Sequence, residues 1–559
     1  MRSIYSSCLL GALLLFSNFA YSQHFEWARQ ISGIDHDQGS AVVTDAAGNV
    51  YTVGVFWGTV DFDPGPATLN ITSAGGYDIF LSKLDANGNF IWAKTMGAVD
   101  DDFGYAIAID DQSNIYITGG FHDAVDFDPN AGVTTIISNG DEDVYVAKYT
   151  SSGNLVWAKQ MGGGDMDEGH SIEVDKDYNV YTTGYFNFYG DFDPGAGSCW
   201  LSGQSCTNLF VSKLTGGGNF VWAKNVSGPS DGYALQVDSI GNIFVTGIFW
   251  GTLDFDPNGG VSNLASVGDY DVCAFKYDAN GNLIWCKAFG GTGLDNGSFI
   301  RIDKWDNVFI TGYFIYTVDF DPGAGVSNMT AGNYDAFILK LDAAGNYQWA
   351  KQITGMNAER GYSLDVDSLG NIYTTGDFIG TADFDPGPGV FNISSTWSAN
   401  SIFVTKMDNV GNLIWAVQLG GNGIGQGIHV DRNLNIYTTG FFYYGTADFD
   451  PGSGVYNLTA TGGNDVLIHK MSQGIAGVQE VQAQIAFSVY PNPATSVLQI
   501  ATDMHWTEYK IINALGQIAL EGNYNTSIPV EKLDVGVYFI QLFDKSGQMT
   551  QTRFVKAAN

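Results

Sequence analysis

The sequence predicts an all-β fold: a seven-bladed β-propeller closed by the N-terminal strand and followed by a small C-terminal β-sandwich. Three observations predict it. A unit of 63 to 66 residues recurs seven times. Each unit holds four runs rich in Val, Ile, Phe, Tyr, Trp and Thr, which suit β-strands. Turn sequences such as "DAAGN" and "DANGN" join these runs, because Asp and Asn bond local backbone and Gly takes a positive φ.

The phase of the repeat predicts how the ring closes. The chain opens with a lone Trp strand, "HFEWARQ", before its first turn, and the last unit ends at "DVLIHKM" with no Trp strand. We therefore expect the opening strand to complete the seventh blade, so that the propeller spans residues 23–472. The tryptophans that mark the units are Trp27, Trp92, Trp157, Trp222, Trp285, Trp349 and Trp415.

The N-terminus has the features of a secretory signal over residues 1–22. A basic Arg2 precedes the apolar run Cys8–Phe16, and Ala20–Ser22 supplies small residues before a cut at Gln23. The apolar run is too short to cross a bilayer, and no later segment is apolar enough to do so. The sequence thus predicts export without a membrane span.

The charge balance argues against nucleic acid as a partner. The chain has 59 Asp and Glu against 24 Lys and Arg, a formal charge of −35, and a polyanion repels phosphate backbones. The same charge attracts cations and favours solubility.

Four cysteines remain after the leader, and in an oxidising compartment we expect disulfides. A four-residue loop at 278–281 would place Cys273 directly opposite Cys286, and Cys199 with Cys206 would close a small loop. Zinc is the competing interpretation, but no histidine lies at ligand spacing.

The motif "DFDP" recurs in every unit and allows three interpretations. Catalysis is disfavoured, because identical carboxylate pairs around a ring lack two unlike environments. Two aspartates one residue apart can aim at one cation, so calcium is a candidate. The favoured interpretation is a corner, in which Asp caps the turn, Pro presets φ and Phe fills the gap between blades. The aspartates are Asp61, Asp63, Asp126, Asp128, Asp191, Asp193, Asp254, Asp256, Asp319, Asp321, Asp383, Asp385, Asp448 and Asp450.

Ligand-binding residues are expected where the units differ. Irregular residues near the start of the first strand include Glu168, His170, Glu359 and Arg360. If that strand is innermost, these side chains surround one mouth of the central channel, a usual ligand location. Aromatic residues after the second strand suit sugar rings or a protein partner, although packing between blades is the favoured role. They are Trp57, Tyr189, Trp250, Tyr316 and Tyr444.

The units carry the pattern "D-x-x-GN-x-Y-x-T-G-x-F" with the Trp strand, and over residues 24–471 they resemble the seven-bladed β-propeller repeat family of secreted bacterial proteins. This resemblance implies a fold and leaves activity open.

Residues 473–484 are expected to be a linker. The tail carries "YPNPA" at Tyr490–Ala494, "LGQ" at Leu515–Gln517, "LDVGVYFIQL" from Leu533 and a final "FVK".

Over residues 485–559 the tail resembles the type A C-terminal sorting domain of the type IX secretion system. That resemblance implies recognition by this machinery, periplasmic transit, removal of the tail, and release or attachment at the surface of a Gram-negative cell.

The sequence favours a non-catalytic binding or adhesion module with a glycan or protein ligand. No metalloprotease, nucleophile-elbow, phosphate-loop or zinc motif is present, and calcium is the one cofactor candidate. The alternative is an extracellular carbohydrate-active enzyme, a glycoside hydrolase or lyase, with its site at the channel mouth.

Overall fold

The fold is all-β throughout the part of the chain that the structure describes. The computed structural model describes residues 21–203, 207–395, 399–475, 487–502, 506–513, 517–543 and 549–558. These residues fall into two compact units, Tyr21–Gly474 and Ile475–Asn559. Most of the predicted leader and linker lies outside the described residues.

The strands of the larger unit follow the sequence repeat, with four long strands to a repeat and short hairpins that carry the Asp-Phe-Asp-Pro motif. In chain order they are β1 (Tyr21–Gly33), β2 (Gln38–Thr44), β3 (Val50–Phe56), β4 (Thr59–Asp61), β5 (Asn70–Thr72), β6 (Asp78–Leu84), β7 (Phe90–Met96), β8 (Phe103–Ile109), β9 (Ile115–Asp126), β10 (Thr135–Tyr149), β11 (Leu155–Gly163), β12 (Glu168–Val174), β13 (Val180–Phe186), β14 (Tyr189–Asp191), β15 (Trp200–Ser202), β16 (Asn208–Leu214), β17 (Phe220–Val226), β18 (Ser230–Val237), β19 (Ile243–Phe249), β20 (Thr252–Asp254), β21 (Asn263–Ala265), β22 (Asp271–Tyr277), β23 (Leu283–Gly291), β24 (Asn296–Ile302), β25 (Val308–Asp319), β26 (Asn328–Leu341), β27 (Tyr347–Gly355), β28 (Glu359–Val366), β29 (Ile372–Phe378), β30 (Thr381–Asp383), β31 (Asn392–Ser394), β32 (Ser401–Met407), β33 (Leu413–Leu419), β34 (Gly423–Val430), β35 (Ile436–Tyr443), β36 (Thr446–Asp448), β37 (Asn457–Thr459) and β38 (Asn464–Ile475).

Antiparallel pairing joins the long strands of each repeat in order, as in β2-β3-β6-β7 and β12-β13-β16-β17. The last repeat follows the order β34-β35-β38-β1, so the N-terminal strand is hydrogen-bonded to β38, the neighbour that the sequence predicts for it. The first strand of each repeat contacts the first strand of the next, and β34 contacts β2.

Burial explains why the strands are nearly continuous apolar runs. Every residue of β3 and β6 is buried, because neighbouring repeats cover both faces of each sheet. The core clusters accordingly combine side chains of adjacent repeats, as where Tyr51 and Ile79 join Ile117 and Phe121. A side chain in these strands therefore needs shape complementarity on both sides.

The pairing of the third and fourth strands corrects the predicted disulfide. A bulge between Lys276 and Tyr277 shifts the register, so Cys273 lies opposite Ala288 and Cys286 lies opposite Phe275. The expectation that the two cysteines face each other directly is wrong, and both are free thiols, as is Cys199. Cys206, the predicted partner of Cys199, lies outside the described residues.

The Asp-Phe-Asp-Pro segment forms a corner that joins one repeat to the preceding one. Oδ1 of Asp61 accepts the backbone N–H of Asp63 at 3.1 Å and of Leu69 at 2.8 Å. Phe62 is fully buried against Phe56 and Phe80. The hairpin pairs with the N-terminal strand through Ser32 and Asp61.

The same carboxylate contacts recur at Asp126, Asp191, Asp254, Asp319, Asp383 and Asp448. The motif therefore has a structural use in every repeat, and calcium binding by its aspartates stays a prediction.

The C-terminal unit is a sandwich of two antiparallel sheets. Their orders are β39-β40-β43 and β42-β41-β44-β45. Ala494, Leu498, Ile511, Ile540 and Phe554 are fully buried in the core that the two sheets share. The strands are β39 (Phe487–Tyr490), β40 (Val497–Thr502), β41 (Glu508–Asn513), β42 (Ile518–Asn523), β43 (Ser527–Pro529), β44 (Gly536–Phe543) and β45 (Met549–Lys556).

Candidate functional site

A cavity of about 360 Å³ lies where the first strands of all the repeats meet. Each of these strands carries a glycine near its start, and a register shift follows that glycine, as between Gly169 and Ser171. The residues on either side of the glycine differ from repeat to repeat, although the glycine recurs. The residues that follow it are Ser40, Tyr105, His170, Tyr233, Ser298, Tyr362 and Gln426.

His170 is the centre of the most polar part of this cavity. Its Nε2 lies 2.8 Å from Oε2 of Glu168, and its Nδ1 lies 3.2 Å from Oδ1 of Asp231 on the next repeat. The Tyr185 hydroxyl donates a hydrogen bond of 3.0 Å to the other oxygen of Glu168. The imidazole is thus fixed between two carboxylates from neighbouring repeats.

The protonation states follow from burial and from this pairing. Burial opposes the imidazolium, but the carboxylates of Asp231 and Glu168 outweigh it and raise the pKa of His170 to about 10. Burial also opposes ionisation of Glu168, yet its contacts with His170 hold its pKa below the usual value.

The pKa of Glu142 is shifted in the opposite direction to that of Glu168. It is 1% exposed, and burial, followed by the charge of Glu168, raises its pKa to about 9. Gly120 provides the room for it, because a Cβ there would collide with the Glu142 carboxyl group. At neutral pH a protonated Glu142 therefore lies near an ionised Glu168.

Aromatic rings surround the imidazolium. Tyr233 stacks on His170 with centroids 5.7 Å apart, and Tyr105 and Tyr185 present their rings at 5.4 and 5.6 Å. Electron-rich ring faces stabilise a cation at such distances. All three tyrosines are half-buried, and Tyr105 and Tyr233 line the cavity.

A second cluster of charged side chains lies near the other ends of the first strands. Arg301 donates to Oε1 of Glu173 at 3.1 Å, and its Nε lies 3.5 Å from Oδ1 of Asp365. His429 Nδ1 is 3.3 Å from Oδ2 of Asp365, and its Nε2 is 3.0 Å from the Thr44 hydroxyl. These contacts join the first strands of several repeats.

The four predicted ligand residues separate into two groups. Glu168 and His170 come together, as described. Arg360 instead lies 3.9 Å from Asp377 and donates to the Tyr362 hydroxyl at 3.1 Å. Glu359 is fully buried, and burial and the nearby Asp335 raise its pKa to about 9.

Glu359 belongs to a set of buried acid pairs at the junctions between repeats. At five junctions the acid two residues before the recurring glycine lies beside an acid of the third strand of the preceding repeat, and burial raises the pKa of both. The pairs are Asp37 with Asp465, Asp102 with Asp78, Asp167 with Asp143, Asp295 with Asp271, and Glu359 with Asp335. At the other two junctions both members are neutral: Ser230 with Asn208, and Gly423 with Ser401.

Sequence reasoning missed Asp231, Glu142, Tyr105 and Tyr233, and it misjudged the rim aromatics. The variable positions flanking the recurring glycine were the available signal. The prediction that the rim aromatics pack between blades was wrong. Their exposed fractions are 42% for Trp57, 53% for Tyr189, 50% for Trp250, 54% for Tyr316 and 74% for Tyr444.

Two further findings concern only the residues that the structure describes. No group of three or more His, Cys, Asp or Glu side chains in this part of the chain is arranged to hold a metal ion. Nor does any helix within it have the length and apolarity needed to cross a membrane.

Two family matches agree with the predicted resemblances. Residues 488–556 match the family described as "Secretion system C-terminal sorting domain", and residues 348–377 match "Beta-propeller repeat". The first match indicates export by the type IX secretion system, to the cell surface or into the medium.

Similarity to whole proteins is low. The chain is 25% identical to an uncharacterized WD repeat-containing protein, L264, of Acanthamoeba polyphaga mimivirus, over 76% of this chain and 36% of that protein. It is 25% identical to the regulatory protein FlaEY of Caulobacter vibrioides, over 22% of this chain and 13% of that protein. The aligned part thus covers little more than a third of the WD repeat-containing protein and about an eighth of FlaEY.

Solved structures give weaker likenesses. A protein from Bacteroides caccae is 10% identical with a TM-score of 0.30, covering 70% of this chain and 94% of that one. PorZ, a surface component of the type-IX secretion system of Porphyromonas gingivalis, is 12% identical with a TM-score of 0.16, covering 96% and 100%. These scores add nothing to the strand pairing described above.

Proposed function

We propose that the chain is a non-catalytic binding or adhesion module, a closed seven-bladed propeller displayed on or released from a Gram-negative cell. Three features support a closed ring: the seven repeats, the hydrogen bonding of β38 to β1, and the contacts of β2 with both β34 and β8. A ring in which each first strand lies between two others needs no capping element.

The ligand site is the mouth of the cavity around His170. The observation that carries this proposal is the convergence of residues that differ between repeats, Glu168, His170 and Asp231 with Tyr105 and Tyr233, at one point of an otherwise repetitive ring. A concave site with aromatic walls and a few fixed polar groups is the usual form of a ligand pocket.

A carbohydrate-active enzyme is the second candidate, and one observation favours it. Glu142 is protonated while Glu168 is ionised, and acid–base catalysis uses carboxyl groups with unequal pKa values. His170 also lies within 3.2 Å of both Glu168 and Asp231. We favour binding, because Glu142 is 1% exposed and Glu168 is already engaged by His170 and Tyr185.

The experiment is a binding screen of the secreted protein against glycan and extracellular-protein arrays, with two Tyr→Ala variants. Tyr233→Ala removes the ring stacked on His170, and Tyr444→Ala removes a tyrosine from the rim. We expect about tenfold weaker binding for Tyr233→Ala and unchanged binding for Tyr444→Ala. Equal effects would place the site elsewhere.

The same arrays separate binding from catalysis. Cleaved glycan that disappears with Glu142→Gln would establish the enzyme instead of the binding module.

The domain organisation is part of the proposal: a signal peptide at 1–22, the propeller at 23–472, a linker at 473–484 and a sorting domain at 485–559. Mass spectrometry of the secreted protein tests it. We expect an N-terminus at Gln23 and loss of the sorting domain, and retention of residues 1–22 in the secreted protein would contradict the first boundary.

A further inference from the structure

Aromatic rings connect the His170 site to the rim of the larger unit. The rings are Trp57, Tyr77, Phe103, Tyr105, His170 and Tyr233, and we call them the aromatic lane. Successive centroids are 6.0, 6.2, 5.6, 5.4 and 5.7 Å apart. Trp57 is 42% exposed, and the inner members are half-buried. The rings thus form an unbroken series from the cavity to the rim, with the charged groups of the His170 site at the inner end and Asp101, which accepts the backbone N–H of Tyr77 at 2.9 Å, beside the outer part.

The inner end of the lane favours an uncharged ligand. The inner end already holds the His170 imidazolium between Glu168 and Asp231, and this positive charge repels an ammonium group. An acidic ligand is repelled by the chain, whose formal charge is −35. Glu142 adds a carboxyl group that burial keeps protonated.

The geometry favours a sugar chain over a peptide. A pyranose ring presents a face of C–H bonds to an aromatic ring and hydroxyl groups at its edge. The step between rings in the lane is close to the length of one sugar unit. At the inner end Glu168 and His170 line the cavity, where the hydroxyl groups of a terminal sugar would meet them.

On the premise that the His170 site is the ligand site, we propose that the aromatic lane binds a neutral oligosaccharide of several units. The chain end lies at His170 and the later units stack outward to Trp57. A longer neutral chain then binds more tightly than a short one, because it reaches more of the lane.

The test uses the secreted protein and isothermal titration calorimetry with four hexasaccharides and a dimer. The neutral probes are cellohexaose and maltohexaose, the charged ones are a glucosamine hexamer and a galacturonate hexamer, and the dimer is the shorter form of whichever neutral probe binds. Trp57→Ala is compared with Trp250→Ala. Both tryptophans occupy the same repeat position with exposed fractions of 42% and 50%, but Trp250 is outside the lane.

We expect a neutral hexamer to bind at least tenfold more tightly than either charged hexamer and than its own dimer. Trp57→Ala should weaken binding of the hexamer about tenfold and leave binding of the dimer unchanged. Trp250→Ala should leave binding of both lengths unchanged. Tyr233→Ala should weaken both lengths.

Other outcomes separate the two proposals. Equal effects of Trp57→Ala and Trp250→Ala, with Tyr233→Ala still weakening binding, overturn the lane and leave the His170 site intact. Preference for a charged hexamer, or binding of a protein alone, overturns the neutral sugar. Binding that is insensitive to Tyr233→Ala overturns the site itself.

Discussion

The buried acid pairs predict that neutralising one member stabilises the protein, and more so at high pH. Asp271 is 1% exposed, its Oδ2 accepts the backbone N–H of Val267 at 2.9 Å, and burial raises its pKa to about 6 from 3.8. Its neighbour Asp295 has a pKa raised to about 7, first by burial and also by the charge of Asp271. Asp271→Asn keeps the acceptor oxygen and removes the ionisable group.

The pKa of Asp271 in the folded and unfolded states determines how its ionisation changes the free energy of unfolding. Because the folded pKa of Asp271 is above the unfolded one, the folded state holds its proton more tightly, and stability is lost as pH rises from about 4 through about 6. That loss is about 3 kcal/mol at pH 8 and about 1.5 kcal/mol at pH 5. Asp271→Asn should raise the free energy of unfolding by those amounts.

Urea unfolding followed by tryptophan fluorescence at pH 5 and pH 8 measures this difference. The chain supplies the mirror-image control at a neutral junction, where the Asn208 side chain donates to the Phe186 carbonyl at 3.1 Å and accepts from Gly228 at 2.9 Å. Asn208→Asp should destabilise, and more at pH 8 than at pH 5. A gain for Asp271→Asn that is the same at both pH values would refute the reasoning.

Four further predictions concern the corners, the rim and the tail. Phe255→Ala should lower the free energy of unfolding by about 3–5 kcal/mol in urea titrations, because this fully buried ring contacts Phe249 and Phe275; a loss below about 1 kcal/mol would contradict a packed corner. Tyr316→Gly should raise it by about 1 kcal/mol, because Tyr316 has φ 64° where other repeats have glycine, such as Gly251 at φ 84°; destabilisation would show that the ring compensates for its backbone. If the corners serve structure alone, thermal melting should be the same in calcium and in a chelator, and a calcium-dependent rise would establish cation sites. Deleting residues 488–556 should retain the protein inside the cell envelope in fractionation experiments, and undiminished export would contradict the sorting assignment.

The fold was predictable because the sequence repeats the same structural unit seven times. Each repeat presents the same turns, apolar runs and corner motif, so errors in one copy are corrected by the others, and the place of the N-terminal strand followed from phase alone. Register was harder to predict. The bulge beside Lys276 depends on backbone geometry that the turn sequence does not reveal, which is why the facing of Cys273 and Cys286 was mispredicted.

The candidate site was predicted only in part, for a physical reason. Glu168 and His170 stand out because they are unusual at their repeat positions. Their partner Asp231 comes from the next repeat, and Glu142 from the preceding one. Contacts between repeats depend on which strands are innermost and on the tilt of neighbouring sheets, and no local pattern encodes either.

The two neutral junctions share an electrostatic feature. Each lies next to an acid specific to its repeat: Ser230 directly precedes Asp231, and Asp377 on β29 pairs with Ile402, the residue after Ser401. A buried acid pair at either place would add negative charge beside that acid.

The junction of Asp143 and Asp167 keeps its acids even though Glu142 and Glu168 flank it. There Glu142 is protonated and His170 supplies a positive charge. Neutral residues at the junction before Asp231 thus add no further negative charge beside the contact between Asp231 and His170, which holds the imidazolium from its second side.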